Sequence, residues 1–303
     1  MSPQADPSQA HSRLKVFLGW LAVFASAFCF YLATAVIRWA GSEVDIDASY
    51  FAFFRFLLGF AAICLLLIIR GRGLSPRRYD LLVGRTLFNC LAVMCFYKAV
   101  ALTSLAEGNI LNMSYPIFLA LLSWLFLKEQ RDGLALAMVC IAFVGIWLIL
   151  SPGKIEPDLK NIWGLISGIS AGFAILLLNI SRRYHDSETI LYYMFGLGTI
   201  VMYAVFHDHI FWPDAKELYY LMMCGLYGII GQYLLTIGFL YVTAVEGGII
   251  SSTRILLAAM LGPYVAGDPP LTAAGWAGAL LIFLANVTLA LRRSRHQKQP
   301  PPV

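Results

Sequence analysis

The chain has 303 residues, of which 60% are apolar and only 13% are charged, with a formal net charge of +5. A soluble domain is about 45–50% apolar and about 25% charged, so this chain lacks the charge that a water-exposed surface requires. The composition therefore excludes a soluble enzyme, a secreted disulfide scaffold and a disordered chain. It predicts an all-α integral membrane protein with many spans.

The apolar residues form ten long blocks, each close to the roughly 20 residues that a helix needs to cross a bilayer. The links between the blocks are short, so none of them can form a separate soluble domain. The flanking segments 1–15 and 292–303 are predicted to be disordered and cytoplasmic, the second of them basic. The ten predicted spans are 16–40, 48–70, 80–104, 107–127, 133–150, 161–181, 188–207, 216–243, 246–266 and 271–291.

The first block also contains Ala25-Ser26-Ala27, a small-residue pattern at which a signal peptidase could cut. The apolar run continues beyond it to Ala35, and the block has a counterpart later in the chain. We therefore interpret this block as a membrane span that is retained.

The basic residues are distributed unevenly between the two sides of these spans. With both termini in the cytoplasm, the inside loops and tails hold 14 Lys and Arg residues, against 4 on the outside. Cytoplasmic loops of membrane proteins carry such an excess. The asymmetry predicts a multi-pass protein of the bacterial inner membrane with both termini cytoplasmic. It also explains the net charge, so we expect no nucleic-acid partner.

The cysteines do not form a pattern typical of a metal site or a disulfide. All six lie within apolar spans, and no two of them form a CxxC pair. We therefore expect no structural disulfide, no zinc site and no other cofactor. The six cysteines are Cys29, Cys64, Cys90, Cys95, Cys140 and Cys224.

The two halves of the sequence resemble each other. A shift of 139 residues aligns Phe53–Gly59 with Tyr192–Gly198, and Glu107 with Glu246. Because each half has an odd number of spans, the second half must enter the membrane from the opposite side. The pattern predicts two inverted five-helix repeats around a central cavity. The repeats are residues 16–150 and 151–291.

These features resemble the drug/metabolite transporter superfamily of EamA type. The resemblance covers residues 16–291 and is carried by FFRFLLG in the second span and by Phe96–Glu129 in the third and fourth. Within the family the chain is most similar to bacterial exporters of amino acids, including aromatic amino acids. The resemblance implies export through a cavity between the halves. The chain departs from the family at Ser252–Ile255, which replaces an acidic-proline pair, so the family pattern for the ninth span does not carry over.

Charge inside the spans is restricted to basic residues. All 17 acidic residues lie in loops, tails or span ends, whereas four basic residues lie within spans. A buried basic group costs about 2.5–3.5 kcal/mol on insertion scales, so it should face a cavity or a partner. Arg85 and Lys98 lie near span ends and are expected to reach the membrane interface. Arg55 and Arg254 lie deeper; Arg55 could bond helix-end carbonyls or contact substrate.

A guanidinium can bind a carboxylate through two parallel hydrogen bonds. The deep arginines therefore favour an amino acid, an organic acid or a phosphorylated metabolite as cargo. A mid-membrane carboxylate, which exporters of lipophilic cations require, is missing from the sequence pattern. Cationic drugs are consequently disfavoured as the main cargo.

Polar and aromatic residues on helical faces supply further candidates for substrate contact. Interhelical hydrogen bonding and lipid packing are the alternative roles for each of them. The candidates besides Arg55 and Arg254 are Asn89, Asn109, Asn112, Gln232, Ser251, Trp20, Phe28, Trp163, Tyr192 and Tyr227. Candidate hinges, where helices can bend, are Pro116, Gly262 and Pro263. Gly164, Gly168 and Gly172 are predicted to pack closely against a neighbouring helix, either Gly19 and Ala27 of the first span or its neighbours.

The leading functional hypothesis is a secondary transporter that exports small carboxylate-bearing metabolites by alternating access. The sequence lacks the GxxxxGK[ST] motif of ATPases, so the driving force is a gradient or exchange. We expect a monomer in the lipid bilayer with a small-molecule substrate. The alternatives are a sugar-phosphate or nucleotide-sugar exchanger and a broad drug/metabolite exporter. An intramembrane enzyme is disfavoured because acid and base groups are not clustered.

Overall fold

A computed structural model describes residues 7–71, 73–126, 133–150, 159–241 and 244–297. In these ranges the regular structure is helical throughout, with two short 3-10 turns at Leu159–Asn161 and His207–His209. The α-helices are α1 (Pro7–Ala40), α2 (Ala48–Arg70), α3 (Tyr79–Leu102), α4 (Leu105–Asn112), α5 (Tyr115–Phe126), α6 (Gly133–Leu150), α7 (Ile162–Ser181), α8 (Ser187–Phe206), α9 (Ala215–Tyr241), α10 (Ala244–Ala266) and α11 (Ala273–Gln297).

The predicted apolar blocks all fall on these helices. In the described part of the chain, seven helical stretches have the length and apolar composition needed to cross a membrane. Three shorter apolar stretches lie in α6, α10 and α11. The helical architecture is thus that of a multi-pass membrane protein, while the count of ten crossings and the inverted arrangement remain predictions.

The fourth predicted span is not one continuous helix. It is divided into α4, which ends at Asn112, and α5, which begins at Tyr115. Pro116 has no N–H to donate to the carbonyl of Asn112, four residues earlier, and its ring disfavours helical backbone in the residue before it. The side chain of Ser114 caps the interruption by donating to the carbonyl of Leu111 over 2.6 Å. By contrast, Pro263 lies inside α10, which is helical without interruption.

Both ends of the described chain are more ordered than predicted. The first helix begins at Pro7 and the last ends at Gln297, so the prediction of disorder is wrong for residues 7–15 and 292–297. Once a helix is nucleated, each added residue gains one backbone hydrogen bond for one residue fixed, whereas the first turn fixes three residues for one bond. The long apolar helices therefore continue into polar sequence.

The main packing partners pair the first half of the chain with the second. Helix α1 packs on α9, α2 on α8, α3 on α7 and α6 on α11. Two clusters of buried apolar side chains result, one around Phe51 and Tyr97 and the other around Leu111 and Ile282. The bundle is therefore held together by contacts between residues far apart in sequence.

The glycines of α7 do not pack on the first span. A Cβ at Gly168 would lie 2.5 Å from Oγ of Ser114 and 2.8 Å from the carbonyl oxygen of Leu111. Gly164 and Gly172 likewise face residues of α4 and α5. The predicted contact of this glycine stripe with the first span is wrong, because α7 packs on the interrupted helix pair α4–α5 instead.

Candidate functional site

Two arginines from different halves of the chain lie over the same aromatic ring. The Cζ atom of Arg55, on α2, lies 5.4 Å from the ring centroid of Phe30, on α1. The Cζ atom of Arg254, on α10, lies 5.9 Å from the same centroid. Both arginines are buried, with 9% and 6% of their surface exposed. The negative face of an aromatic ring attracts cations, so Phe30 stabilises both guanidiniums.

Each guanidinium also has its own hydrogen-bond acceptor. Nη1 of Arg55 donates to the hydroxyl oxygen of Tyr97 over 3.0 Å. Nη2 of Arg254 donates to Oδ1 of Asn112, while its buried Nε has no acceptor. The ring of Phe96 lies 5.2 Å from Cζ of Arg254. We call Phe30, Arg55, Phe96, Tyr97, Asn112 and Arg254 the arginine cluster.

A chain of hydrogen bonds holds Asn112 in place. Its Nδ2 donates to Oγ of Ser167 over 2.7 Å, and Ser167 donates in turn to the carbonyl of Ala92 over 2.8 Å. Asn112 is also the last residue of α4, directly before the helix interruption. The side-chain amide of Asn112, which accepts the hydrogen bond from Arg254, is therefore held in place by hydrogen bonds to α7 and, through Ser167, to α3. The helix α4 ends at the same residue.

The acceptors of both arginines are neutral. Among the side chains that the structure describes, the ion pairs of Arg and Lys join other residues: Arg38 with Asp268, Arg70 with Glu188, Arg78 with Asp80, and Lys216 with Glu43. The same residues contain no group of three or more His, Cys, Asp or Glu that could hold a metal ion. The arginine cluster therefore presents two positive charges stabilised by oxygens and rings alone, which suits an anionic ligand.

A glycine on α9 provides the space for Arg55. A Cβ at Gly228 would lie 3.0 Å from both Cδ and Nε of Arg55. Any larger residue at this position would press on the guanidinium stem. The close approach of the α9 backbone thus sets the position of Arg55 from the second half of the chain.

The prediction that Arg85 reaches the membrane interface is wrong. It is only 5% exposed, and it donates to the carbonyl of Ala174 over 3.3 Å and to Sδ of Met194 over 3.6 Å. Helices α7 and α8 cover it, since both pack on α3. Asn109 likewise bonds its surroundings, donating to Thr34 and to the carbonyl of Leu105. Both residues link helices outside the arginine cluster.

Trp20 and Phe28 lie on the outer face of α1, with 43% and 39% of their surface exposed. They do not line the arginine cluster, so their prediction as cavity residues is not supported by the geometry. Phe30 takes that place instead. It is two residues from Phe28 and thus about 200° around the helix, on the opposite face.

The remaining predicted contact residues are dispersed. Tyr192 packs on the ring of Phe60 with 5.2 Å between centroids, and Tyr227 packs partly buried against the apolar core. The Nζ atom of Lys98, near the end of α3, lies 4.3 Å from the ring centroid of Trp163. Half-buried positions are occupied by Asn89, Gln232 and Ser251. Ser251 lies one helical turn before Arg254 and Gln232 one turn after Gly228, the spacing of neighbours on one helix face.

The contact residues predicted from the sequence do not include Phe30, Phe96, Tyr97 or Ser167. Phe96 and Tyr97 lie in the stretch that carries the family resemblance, FYKAVAL, which was a usable signal. Phe30 and Ser167 are single residues in apolar helices, and only the packing of distant helices shows that they face the arginines.

A different arrangement binds Arg38 near the C-terminal end of α1. Arg38 forms an ion pair with Asp268, in the loop between α10 and α11. The other carboxylate oxygen of Asp268 accepts a hydrogen bond of 2.7 Å from the backbone N–H of Leu105, at the start of α4. The side chain of Asp268 is 2% exposed and that of Arg38 is 26% exposed. This pair connects the two halves of the chain at the end that the charge pattern assigns to the outside.

Comparison with known proteins assigns this architecture to one family. The model of the EamA-like transporter family matches the chain twice, at residues 17–151 and 159–291. A transporter of unknown cargo from Helicobacter pylori is 29% identical over 92% of this chain and 96% of its own length. The pseudopaline exporter of Pseudomonas aeruginosa is 26% identical over 89% and 94%. The riboflavin transporter of Brucella anthropi is 23% identical over 88% and 95%.

The fold itself has a counterpart among solved structures. One crystal structure matches with a TM-score of 0.58 and covers 93% of this chain and 99% of the other, at 17% identity. At that level of identity the likeness concerns the arrangement of the helices only.

Proposed function

Since the chain belongs to the EamA-like transporter family, we propose that this membrane transporter exports small carboxylate-bearing metabolites, amino acids among them. One observation carries the proposal: Arg55 and Arg254 are buried over one ring and have neutral acceptors only. A basic residue at membrane depth without a carboxylate partner is a binding-site candidate.

The chemistry of the arginine cluster favours a carboxylate. Arg254 uses Nη2 for Asn112, while its Nε has no acceptor. A guanidinium presents five N–H donors in a rigid fork that matches the two oxygens of a carboxylate. The Nε–H is therefore the donor that we expect an incoming carboxylate to use.

The cluster is composed in a way that suits alternating access. Phe30, Arg55 and Asn112 come from the first half of the chain, and Gly228 and Arg254 from the second. A movement of one half against the other would open the cluster to one side of the membrane at a time. We propose that the helix interruption before Pro116 absorbs part of this movement, with Gly262 and Pro263 as a second flexible point in α10.

The relatives support a small organic cargo. One relative is an exporter of pseudopaline and another is a transporter of riboflavin. The amino acid class, the outward direction and the location in a bacterial inner membrane with cytoplasmic termini are our proposals. We also propose that the protein acts as a monomer, since one chain supplies both halves of the cluster.

Counterflow into proteoliposomes tests the proposed function. Vesicles containing the purified protein are preloaded with one unlabelled compound from a panel of amino acids, organic acids and sugar phosphates, and uptake of the labelled compound is followed. We expect exchange of at least one carboxylate-bearing compound and its loss in Arg254→Gln. The matched control is Arg85→Gln, since Arg85 is equally buried and also has neutral acceptors, on Ala174 and Met194, but lies outside the arginine cluster. Exchange of sugar phosphates alone would overturn the proposal.

Labelling of single cysteines introduced into the two tails tests the orientation. We expect both tails to react only after the cytoplasmic side is made accessible. Reaction of both tails in intact cells would overturn the predicted topology.

A further inference from the structure

The number of unneutralised charges in the arginine cluster indicates what kind of anion it binds. Arg55 and Arg254 are both buried, and both lie over the ring of Phe30. Among the described side chains no carboxylate forms an ion pair with either of them. We propose that the cargo carries two carboxylates, one for Arg55 and one for Arg254. This inference rests on the proposed function and specifies the substrate class of that site.

The charge balance distinguishes three classes of cargo. Like charges in a poorly hydrated site repel each other strongly, because the effective dielectric constant is low. A monocarboxylate would neutralise one guanidinium and leave the other unpaired and desolvated, which is costly. A zwitterion with a single carboxylate would leave the same guanidinium unpaired and add an ammonium group beside it. Only a cargo with two carboxylates places a negative group on each guanidinium.

The two guanidiniums are held separately, which favours two acidic groups over a single one. Arg55 is anchored by the hydroxyl of Tyr97 on α3, whereas Arg254 is anchored by the amide of Asn112 on α4. Each arginine therefore has a fixed place of its own. To contact a single phosphate, both guanidiniums would have to leave these hydrogen-bond acceptors. A dicarboxylate can place one carboxylate at each guanidinium in its present position.

The rings nearest the two guanidiniums are aromatic. Phe30 lies beside both guanidiniums, and the ring of Phe96 lies beside Arg254. Aromatic faces favour contact with methylene groups or planar rings. The segment that joins the two carboxylates is thus a short hydrocarbon or planar linker, as in an acidic amino acid or a small dicarboxylic acid.

Pairs of compounds that differ by one negative charge test this inference. Glutamate against glutamine keeps size and shape similar, and glutarate against valerate keeps the five-carbon chain, while the number of carboxylates changes. Inhibition of counterflow, with whichever compound the panel identifies as exchanged, is measured for each member. We expect the member with two carboxylates to compete at least about tenfold better, a difference that one added charge-assisted contact supplies.

The variants identify the arginines as the cause. In Arg55→Gln and in Arg254→Gln the preference for the second carboxylate should shrink to less than about threefold, since one cation remains. Arg85→Gln should keep the full preference. Stabilisation of the detergent-solubilised protein against heat by each compound gives the same ranking without transport, so a variant with poor activity still reports binding.

The outcomes separate this inference from the proposed function. If monocarboxylates or neutral amino acids exchange and compete as well as their doubly charged partners, the inference is overturned while the proposed function stands. If no carboxylate-bearing compound exchanges or stabilises the protein, both are overturned. Competition by phosphate esters alone likewise overturns both.

Discussion

Arg38 and Arg254 are the same residue type in opposite situations. Each connects the two halves of the chain, Arg38 through Asp268 and Arg254 through Asn112. The partner of Arg38 is a buried carboxylate that also accepts the N–H of Leu105, so its charge is neutralised within the protein. The partner of Arg254 is a neutral amide, so its charge remains available. The difference supports the proposal that the first pair maintains the structure and that Arg254 binds the cargo.

The largest expected effect is on transport by Arg254→Gln. The substitution removes the cation that we propose the cargo contacts directly, and loss of one partner from a buried charged hydrogen bond costs about 2–5 kcal/mol. Counterflow should therefore fall at least thirtyfold, an estimate from the lower end of that range, while the unfolding midpoint Tm changes little. Arg38→Gln is the paired variant and should keep much more activity. Equal losses in both variants would contradict the distinction between them.

The next effect is on stability and concerns Arg38→Met. It leaves the carboxylate of Asp268 buried with only the backbone N–H of Leu105 as a donor. Breaking a buried ion pair in this way costs about 3–5 kcal/mol, and the lower value applies because Arg38 is partly exposed. Thermal unfolding in detergent should show a Tm lower by several degrees.

The double variant Arg38→Met with Asp268→Leu controls for lost packing. It removes both charges and should regain part of the stability, as buried pairs replaced by apolar residues often do. A double variant less stable than the sum of the two single changes would contradict the assignment of Asp268 to this pair.

Asn112→Asp should make Arg254 resemble Arg38. The new carboxylate lies where Oδ1 now accepts from Arg254, so it neutralises the guanidinium permanently. We expect counterflow to fall about tenfold, because the internal carboxylate competes with the cargo. Tm should change little, since the new ion pair offsets the loss of the hydrogen bond that Nδ2 of Asn112 donates to Ser167. Asn109→Asp on the same helix is the control. Asn109 bonds Thr34 and a carbonyl rather than a cation, so there the added charge should lower Tm.

Gly228→Ala should have the smallest effect of the four. The added Cβ would lie 3.0 Å from Cδ and Nε of Arg55 and would displace the guanidinium by a few tenths of an ångström. The apparent affinity for cargo should weaken a few-fold, since this is a displacement rather than a deletion. Gly225→Ala is the matched control because its Cβ meets the flexible end of Leu58. A weaker affinity in Gly225→Ala than in Gly228→Ala would contradict the role of Gly228.

The sequence alone determined the membrane class, the approximate position of each apolar helix and the two deep arginines that form the candidate site. These features depend on local physics. A membrane-spanning helix is recognised from about 20 consecutive residues, and a charge at membrane depth is costly whichever helices its own helix contacts. Arg55 and Arg254 could therefore be identified as exceptional before any contact was known. The family resemblance in Phe96–Glu129 added the stretch that contains Phe96 and Tyr97.

The tertiary structure decided which faces of the helices meet. It placed Phe30 rather than Phe28 at the arginines, buried Arg85 under α7 and α8, and set the α7 glycines against α4 and α5. The rotation of a helix about its axis depends on helices that are distant in sequence. A stripe of aromatic residues can face either lipid or protein, so the stripe alone does not show which face is buried. The pairing of Arg38 with Asp268, 230 residues apart, has the same origin. Whether a charge is neutralised or left for a ligand is therefore decided only when the helices pack.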